Sequence, residues 1–253
     1  MKPVVLIAAF AAGLLSASLA AADPVPANIA AAVADPGRPS EDIARDVERH
    51  PGEAVAFAGL KPGDSVADLI PGSGYFTRIF SKAVGPTGHV YAIVPQELAG
   101  KFPKGLTALN ALAADPAYAN VSVLVEPINE ISAPAPLDLV WTAQNYHDMH
   151  DSFFAPADLA KVNRQVLAAL KPGGVYLVID HADAAGKGLA DTETLHRIDP
   201  ATVKAEVTAA GFALEAQSDL LRNPADDHSL KVFDPAIRGH TDQFVFKFRK
   251  PTN

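Results

Sequence analysis

The 253-residue chain contains no cysteine. That absence removes disulfides, a thiol nucleophile, a lipid-modified N-terminal cysteine and every zinc or iron–sulfur site built on thiolates, so stability must come from a packed core. Basic clusters are missing as well. The net charge is −8 and no run of Lys or Arg occurs, which argues against a nucleic-acid partner, because phosphate backbones recruit clustered cations. Two nucleotide signatures are absent. Phe76 and Thr77 follow Tyr75 where a Gly-x-Gly-x-x-Gly turn would continue, and no Gly-Lys-Ser/Thr is present to hold a triphosphate. The longest strongly apolar run, Val4 to Leu15, is shorter than the ~20 residues a spanning helix needs. Tryptophan occurs once, at Trp141, inside an apolar strand pattern that reads as core.

What is present starts with an ordinary globular balance, 49% apolar and 20% charged, enough for a sizeable core. Lys2, the short apolar run and an exit through Ser18-Leu19-Ala20 and Ala20-Ala21-Ala22 describe a secretory signal peptide over residues 1–22, cut after Ala20 or Ala22. The expected location is therefore exported and periplasmic, with no stable membrane anchor after cleavage. Asp23 to Ser40 is rich in Pro and Ala and reads as an extended linker. Residues 41–253 then form one domain with N-terminal helices. Ser40, Glu41 and Asp42 open a helix with Ile43 and Val47 on one face, and Pro51 starts another that ends at Gly59.

From Lys61-Pro62-Gly63-Asp64 onward the chain alternates. Strands are expected at Val66 to Ile70, His89 to Val94, Val121 to Val125, Leu137 to Thr142, Val175 to Asp180, Ala213 to Ser218, and a last one carrying Phe244, Phe246 and Phe248. Between them, Phe76, Ile79, Phe80, Ala83 and Val84 keep a helical rhythm, as do Leu106, Leu109 and Leu112. Pro156 to Leu170 and Pro200 to Ala210 complete the helices, the latter stopped by Gly211. Strands separated by helices imply a parallel sheet with helices on both faces. The turn Asp68-Leu69-Ile70-Pro71-Gly72-Ser73-Gly74-Tyr75 lies at a strand-to-helix joint, where two residues without Cβ let a ligand lie against the backbone.

This order of motifs resembles the class I S-adenosylmethionine-dependent methyltransferases. The resemblance covers Glu41 to Arg249 and rests on the glycine turn, Asp138-Leu139-Val140 and Leu170-Lys171-Pro172-Gly173-Gly174. With Arg49-His50-Pro51, Ala58 to Gly63 and Asn145-Tyr146-His147-Asp148, it is more narrowly similar to a bacterial group of predicted methyltransferases with signal peptides. It implies an α/β, Rossmann-like, doubly wound and mostly parallel seven-stranded sheet with an antiparallel C-terminal strand. It also implies S-adenosylmethionine as cofactor. Asp68 would fix the turn from beneath, while Gly72 and Gly74 pass the methionine part, with Pro71, Ser73, Tyr75 and Asn145 in contact around them. Where such proteins carry an acid for the ribose hydroxyls this chain has Val94 and Pro95, with Glu97 a turn later. The adenine-side acid would be Glu126, or Asn129. The turn's usual first glycine is Ile70 here.

Ligands of open α/β sheets bind beyond the carboxyl ends of the strands, so Asn145 to Asp151 faces the same cleft. Methyl transfer needs a positioned acceptor and, for some acceptors, a base. His147 is the candidate base, Asp148 its orienting partner or a site for a substrate cation, and Asn145 and Tyr146 position the acceptor. Alternatively Tyr146 packs in the core while His147 and Asp148 cap the loop. His147, Asp148, His150 and Asp151 have ligand chemistry, but consecutive loop residues rarely all point at one ion and no outlying pair supports them, so no metal is assigned. Asp180 and His181 close the fifth strand. Thr194, His196 and Arg197 lie in a loop that either closes over substrate, Arg197 binding an anion, or stays in solvent. The expected function is methyl transfer to a small-molecule acceptor. The alternative is an exported small-ligand-binding protein that keeps the fold without catalysis.

Overall fold

The computed structural model describes residues 24–132, 134, 136–154 and 157–252. The expected signal segment, residues 1–22, and the expected helix start at Pro156 lie outside the described residues. Seven strands, β1 (Ser65–Leu69), β2 (His89–Pro95), β3 (Val121–Glu126), β4 (Leu137–Ala143), β5 (Leu170–His181), β6 (Ala213–Ser218) and β7 (Gln243–Arg249), form one sheet in the order β3-β2-β1-β4-β5-β7-β6. β1 to β5 pair in parallel, and β7 runs antiparallel to both β5 and β6. This is the α/β, mostly parallel seven-stranded sheet that the motif order implied. The strand order reverses between β1 and β4, which opens a crevice beyond their carboxyl ends.

The helices are α1 (Ala27–Val33), α2 (Ser40–Ile43), α3 (Asp46–Arg49), α4 (Pro51–Ala58), α5 (Tyr75–Val84), α6 (Gln96–Ala99), α7 (Pro103–Ala114), α8 (Leu159–Ala169), α9 (Thr192–Leu195) and α10 (Pro200–Ala209). Parallel strands are buried on both faces, so successive strand residues serve different cores. Val66, Leu139, Trp141 and Leu177 pack with α1, α4 and α5, whereas Ala67, Val140, Val178 and Phe246 pack with α8 and α10. Trp141 is fully buried, with its ring centroid 4.6 Å from Phe76 and 5.2 Å from Phe80.

Three expectations change. The stretch expected as an extended linker contains α1, whose Ile29 and Ala32 are buried against the domain. The alanine run favours helix, and the prolines at 24 and 26 precede its first turn, where they do no harm. The helix expected after Ser40 is two short ones, α2 and α3, and Ile43 and Val47 are 45% and 76% exposed, so no apolar face is buried there. β5 begins at Leu170, five residues earlier than its apolar pattern, because Leu170 pairs with Leu137 before the glycines.

Candidate functional site

Two adjoining cavities open where β1 and β4 diverge, and they share Ile70, Pro71, Gly72, Gln144 and Asn145. The larger, about 440 Å³, is walled mainly by apolar side chains such as Val94, Pro95, Leu98, Phe102 and Leu106, together with His147, Asp148, His181 and His196. The smaller, about 230 Å³, is polar and holds Arg45, Arg49, Asp68, Ser73 and Tyr75. At Gly72 φ is +60°, and a Cβ there would meet no heavy atom within 4 Å, so the backbone is open to a ligand. α7 closes on the turn from the other side, where a Cβ on Gly105 would come 3.1 Å from the Gly72 carbonyl oxygen.

Both strand ends are bent out of the ordinary backbone regions. Ile70 and Gln144 have φ of +60° and +62°, conformations that a β-branched residue in particular avoids. The two bends are tied together: the Asn145 amide donates to the Ile70 carbonyl (3.1 Å) and to the Ala143 carbonyl (2.6 Å). The Gln144 side-chain Oε1 accepts from Arg49, and its side-chain amide donates to Gln243 Oε1 (3.1 Å). Asn145 therefore serves as the clasp between the turn and the β4 end while still lining both cavities.

Asp68 lies beneath the turn, as its place in the motif implied. Burial raises its carboxyl to about 7, against the Thr77 hydroxyl that donates to it at 2.6 Å and the nearby Arg49 charge. Burial likewise lowers the Arg49 guanidinium to about 10, with the Arg45 charge adding to the effect. Tyr75 packs beneath the arginines and donates to Asp46 (2.5 Å); burial and that carboxylate hold its hydroxyl well above the usual range.

The β4 end continues into a turn of 3-10 helix, His147 to His150. The His147 backbone N–H donates to Asp180 Oδ2 (2.7 Å), and its Nδ1 lies 2.8 Å from Asp180 Oδ1. Its Nε2 is 3.2 Å from Asp148 Oδ1 and 3.2 Å from His196 Nδ1. Burial alone would push the imidazole down, but Asp180 and Asp148 on either side raise it to about 10. With Nδ1 facing Asp180 and Nε2 facing Asp148 and His196, His147 belongs to a paired cluster rather than standing as the isolated base its place after β4 suggested. Burial would raise the Asp148 carboxyl, yet hydrogen bonds with His147 and His196 carry it below the usual carboxylate range. His181, beside this group, is driven down to about 3 by burial and bonds Thr241 (2.7 Å).

Other expected positions fall elsewhere. Tyr146 is buried in the core, where its hydroxyl donates to Glu206 (2.9 Å) and accepts from Asn163 (2.8 Å), so it does not reach an acceptor. Glu97 turns to the Ile128 backbone N–H (3.1 Å), and Glu126 to Ser132 (2.6 Å); neither lines either of these two cavities. Gly74, at φ +91°, caps α5 and packs on Leu109. Arg197 is fully buried and paired with Asp226 (2.9 Å), so it binds no anion in the cleft. His196, its neighbour, does line the large cavity, and Arg45 and Arg49 line the small one. Arg49 belongs to the Arg49-His50-Pro51 stretch that carried the resemblance and His196 to the loop weighed as a cover over the substrate, whereas nothing in the sequence singles out Arg45. The fold brings all three segments to one cleft.

No protein-family profile matches the chain. The chain is 32% identical over 126 residues to a protein-L-isoaspartate O-methyltransferase of Ignicoccus hospitalis, a match covering 49% of this chain and 50% of that protein. It is 24% identical over 195 residues to a ubiquinone/menaquinone biosynthesis C-methyltransferase of Ectopseudomonas mendocina, covering 76% and 65%. The matches thus span about half to two thirds of these relatives' lengths. Among solved structures, a SAM-dependent methyltransferase from Aquifex aeolicus superposes with a TM-score of 0.58 at 21% identity, over 84% of this chain and 98% of that one. The (4+2)-cyclase SpnF superposes with a TM-score of 0.57 at 16% identity, over 84% and 82%. At such identities the structures show the fold, which is the class I methyltransferase sheet. Two differently named activities on one sheet also show that function must be argued from the site.

Proposed function

We propose that this chain, whose sheet is that of the class I methyltransferases, transfers the methyl group of S-adenosylmethionine to a small-molecule acceptor. The observation that carries the reading is the pair of dissimilar cavities meeting over Gly72. S-adenosylmethionine is itself dissimilar at its two ends. Its amino-acid end carries a carboxylate, suited to the small cavity with Arg45 and Arg49. Its flat adenine suits the apolar wall of Val94, Pro95, Leu98 and Leu106. The sulfonium between them would lie over the open backbone of Gly72. The large cavity then leaves His147, Asp148 and His196 for the acceptor, held for in-line attack on the methyl carbon. The named methyltransferase relatives support the same assignment.

Without a carboxylate at Val94, the ribose hydroxyls lose a partner that a charged hydrogen bond would have supplied, about 1.5–3 kcal/mol. We therefore expect an affinity about 10- to 150-fold weaker than the same site would have with that acid in place. Calorimetry with S-adenosylmethionine on the purified protein tests this directly. Absence of heat at about 1 mM cofactor sinks the reading and leaves a binding protein for some other ligand in its place. Gly72→Trp fills the junction of the two cavities and should abolish binding in a protein that stays folded by circular dichroism. Undiminished binding would show that the cofactor lies elsewhere. The proposal also includes export, with residues 1–22 as a cleaved leader.

A further inference from the structure

We propose that His147, Asp148 and His196 form a binding site for one divalent first-row transition ion in the wall of the large cavity. His147 Nε2, Asp148 Oδ1 and His196 Nδ1 stand at the corners of a triangle with sides of 3.2, 3.2 and 3.5 Å. The circle through those corners has a radius of about 1.9 Å, and metal–nitrogen and metal–oxygen bonds are about 2.0–2.2 Å. An ion slightly off the plane of the triangle would therefore touch all three atoms without moving them, displacing the proton that His147 Nε2 otherwise shares with Asp148. Two imidazoles and one carboxylate are the donor set of borderline ions such as Zn²⁺, Co²⁺, Mn²⁺ or Fe²⁺, and a poor one for Ca²⁺ or Mg²⁺, which take oxygen.

The supporting shell is also in place. Metal-bound histidines pass their other ring N–H to a carboxylate, which fixes the tautomer and the ring orientation. Asp180 does this for His147 at 2.8 Å, is itself fully buried, and is held by the backbone N–H groups of His147 and His181. His196 is brought in by a left-handed backbone, φ +54°, at the end of α9, and its ring packs at a tilt against Phe233 with centroids 5.0 Å apart. Consecutive residues alone could not have built this site. His150 and Asp151 take no part: His150 turns to Glu206 (3.2 Å), and Asp151 is buried outside the triangle. The ligand that completes the set comes from 49 residues away.

All three ligand residues line the cavity, so the ion's remaining positions face a bound molecule. An acceptor hydroxyl or phenol would occupy one of them, give up its proton to water, and form its O–CH3 bond as the S–CH3 bond of the cofactor breaks, leaving the neutral thioether S-adenosylhomocysteine. That use rests on the methyl-transfer reading; the ion site itself does not. The test is titration of the purified chain with Co²⁺, followed by visible absorption, with Zn²⁺ affinity measured by competition. One Co²⁺ per chain with intense bands of a low-coordinate site is expected. Asp148→Asn and His196→Gln should each weaken binding by at least about 100-fold, and Asp180→Asn by about 10–100-fold. His240→Ala, on the surface away from the cavity, should leave it unchanged. Failure of the folded wild-type protein to take up either ion overturns the site, as does binding that survives both Asp148→Asn and His196→Gln. Cofactor binding without metal binding removes this inference alone. Metal binding without cofactor binding removes the methyltransferase reading alone.

Discussion

At the scale of single residues, the turn holds a cost that its sequence conceals. Ile70 occupies a left-handed backbone where a glycine would be at ease, and its side chain is buried in the core beneath the cleft. The conformation costs roughly 1–2 kcal/mol for an L-residue. Side-chain burial of an Ile contributes roughly 1.5–3 kcal/mol, which explains how the residue holds its place. The two contributions separate by substitution. Ile70→Ala and Ile70→Gly lose nearly the same packing, but at φ +60° glycine escapes the steric penalty. Ile70→Gly should therefore be more stable than Ile70→Ala by about 1 kcal/mol in urea denaturation, the reverse of the usual order in regular structure. An alanine variant as stable as the glycine variant would mean that the turn relaxes once the isoleucine is gone. Nothing in the sequence announces this backbone, or the matching one at Gln144. A dihedral angle is set by what the flanking strands demand, and only the motif's usual glycine hinted at it.

At the scale of elements, the segment between β6 and β7 is fastened by one buried cation. Arg197 donates to the Ala182 carbonyl (2.9 Å), to the Leu230 carbonyl (3.0 Å) and to Asp226, linking the β5 end, the approach to α10 and the long C-terminal loop. Neither Arg197 nor Asp226 has an exposed side chain. Arg197→Ala should cost about 3–5 kcal/mol in denaturant titration, because the Asp226 charge would be left buried without its partner. A loss below about 1 kcal/mol would show that the loop repacks or that water replaces the guanidinium. This fastening was not legible in the sequence, where the same arginine could as well have faced the cleft. The strands and long helices were legible. Their apolar patterns have a period that burial on a sheet or helix face dictates, and Phe244, Phe246 and Phe248 all lie buried in β7 as their alternation implied. Short helices without a buried stripe, α2 and α3, escaped that reasoning. α1 escaped it for the opposite reason, since Pro and Ala next to each other suggest a linker until Ile29 finds a pocket against α5.

For the whole molecule, the candidate site divides by how far its residues are apart in the chain. The glycine turn and the β4 end are contiguous motifs at strand ends, and the topological rule placed both on one crevice. Arg49 and His196 reach the same crevice from other elements; the loop of His196 was weighed as a cover over the substrate, but which of its side chains would enter the cleft depends on tertiary packing that no local pattern reports. The location of the protein is a property at this scale too. Removal of the leader predicts a mature N-terminus at Ala21 or Asp23, read by mass spectrometry of protein recovered from the periplasmic fraction. Either cut leaves α1 intact and docked on α5. Protein that retains Met1 and stays with the cytoplasmic fraction would refute export. The proposed export bears on the position of β7. It is synthesised after every other strand, yet it sits second from the sheet edge, between β5 and β6. A nascent chain cannot join those two strands until residues 243–249 have appeared, so premature locking of the fold is postponed to the end of translation. If the chain is exported unfolded, as proposed, such an order of assembly would work as a timer written into the connectivity.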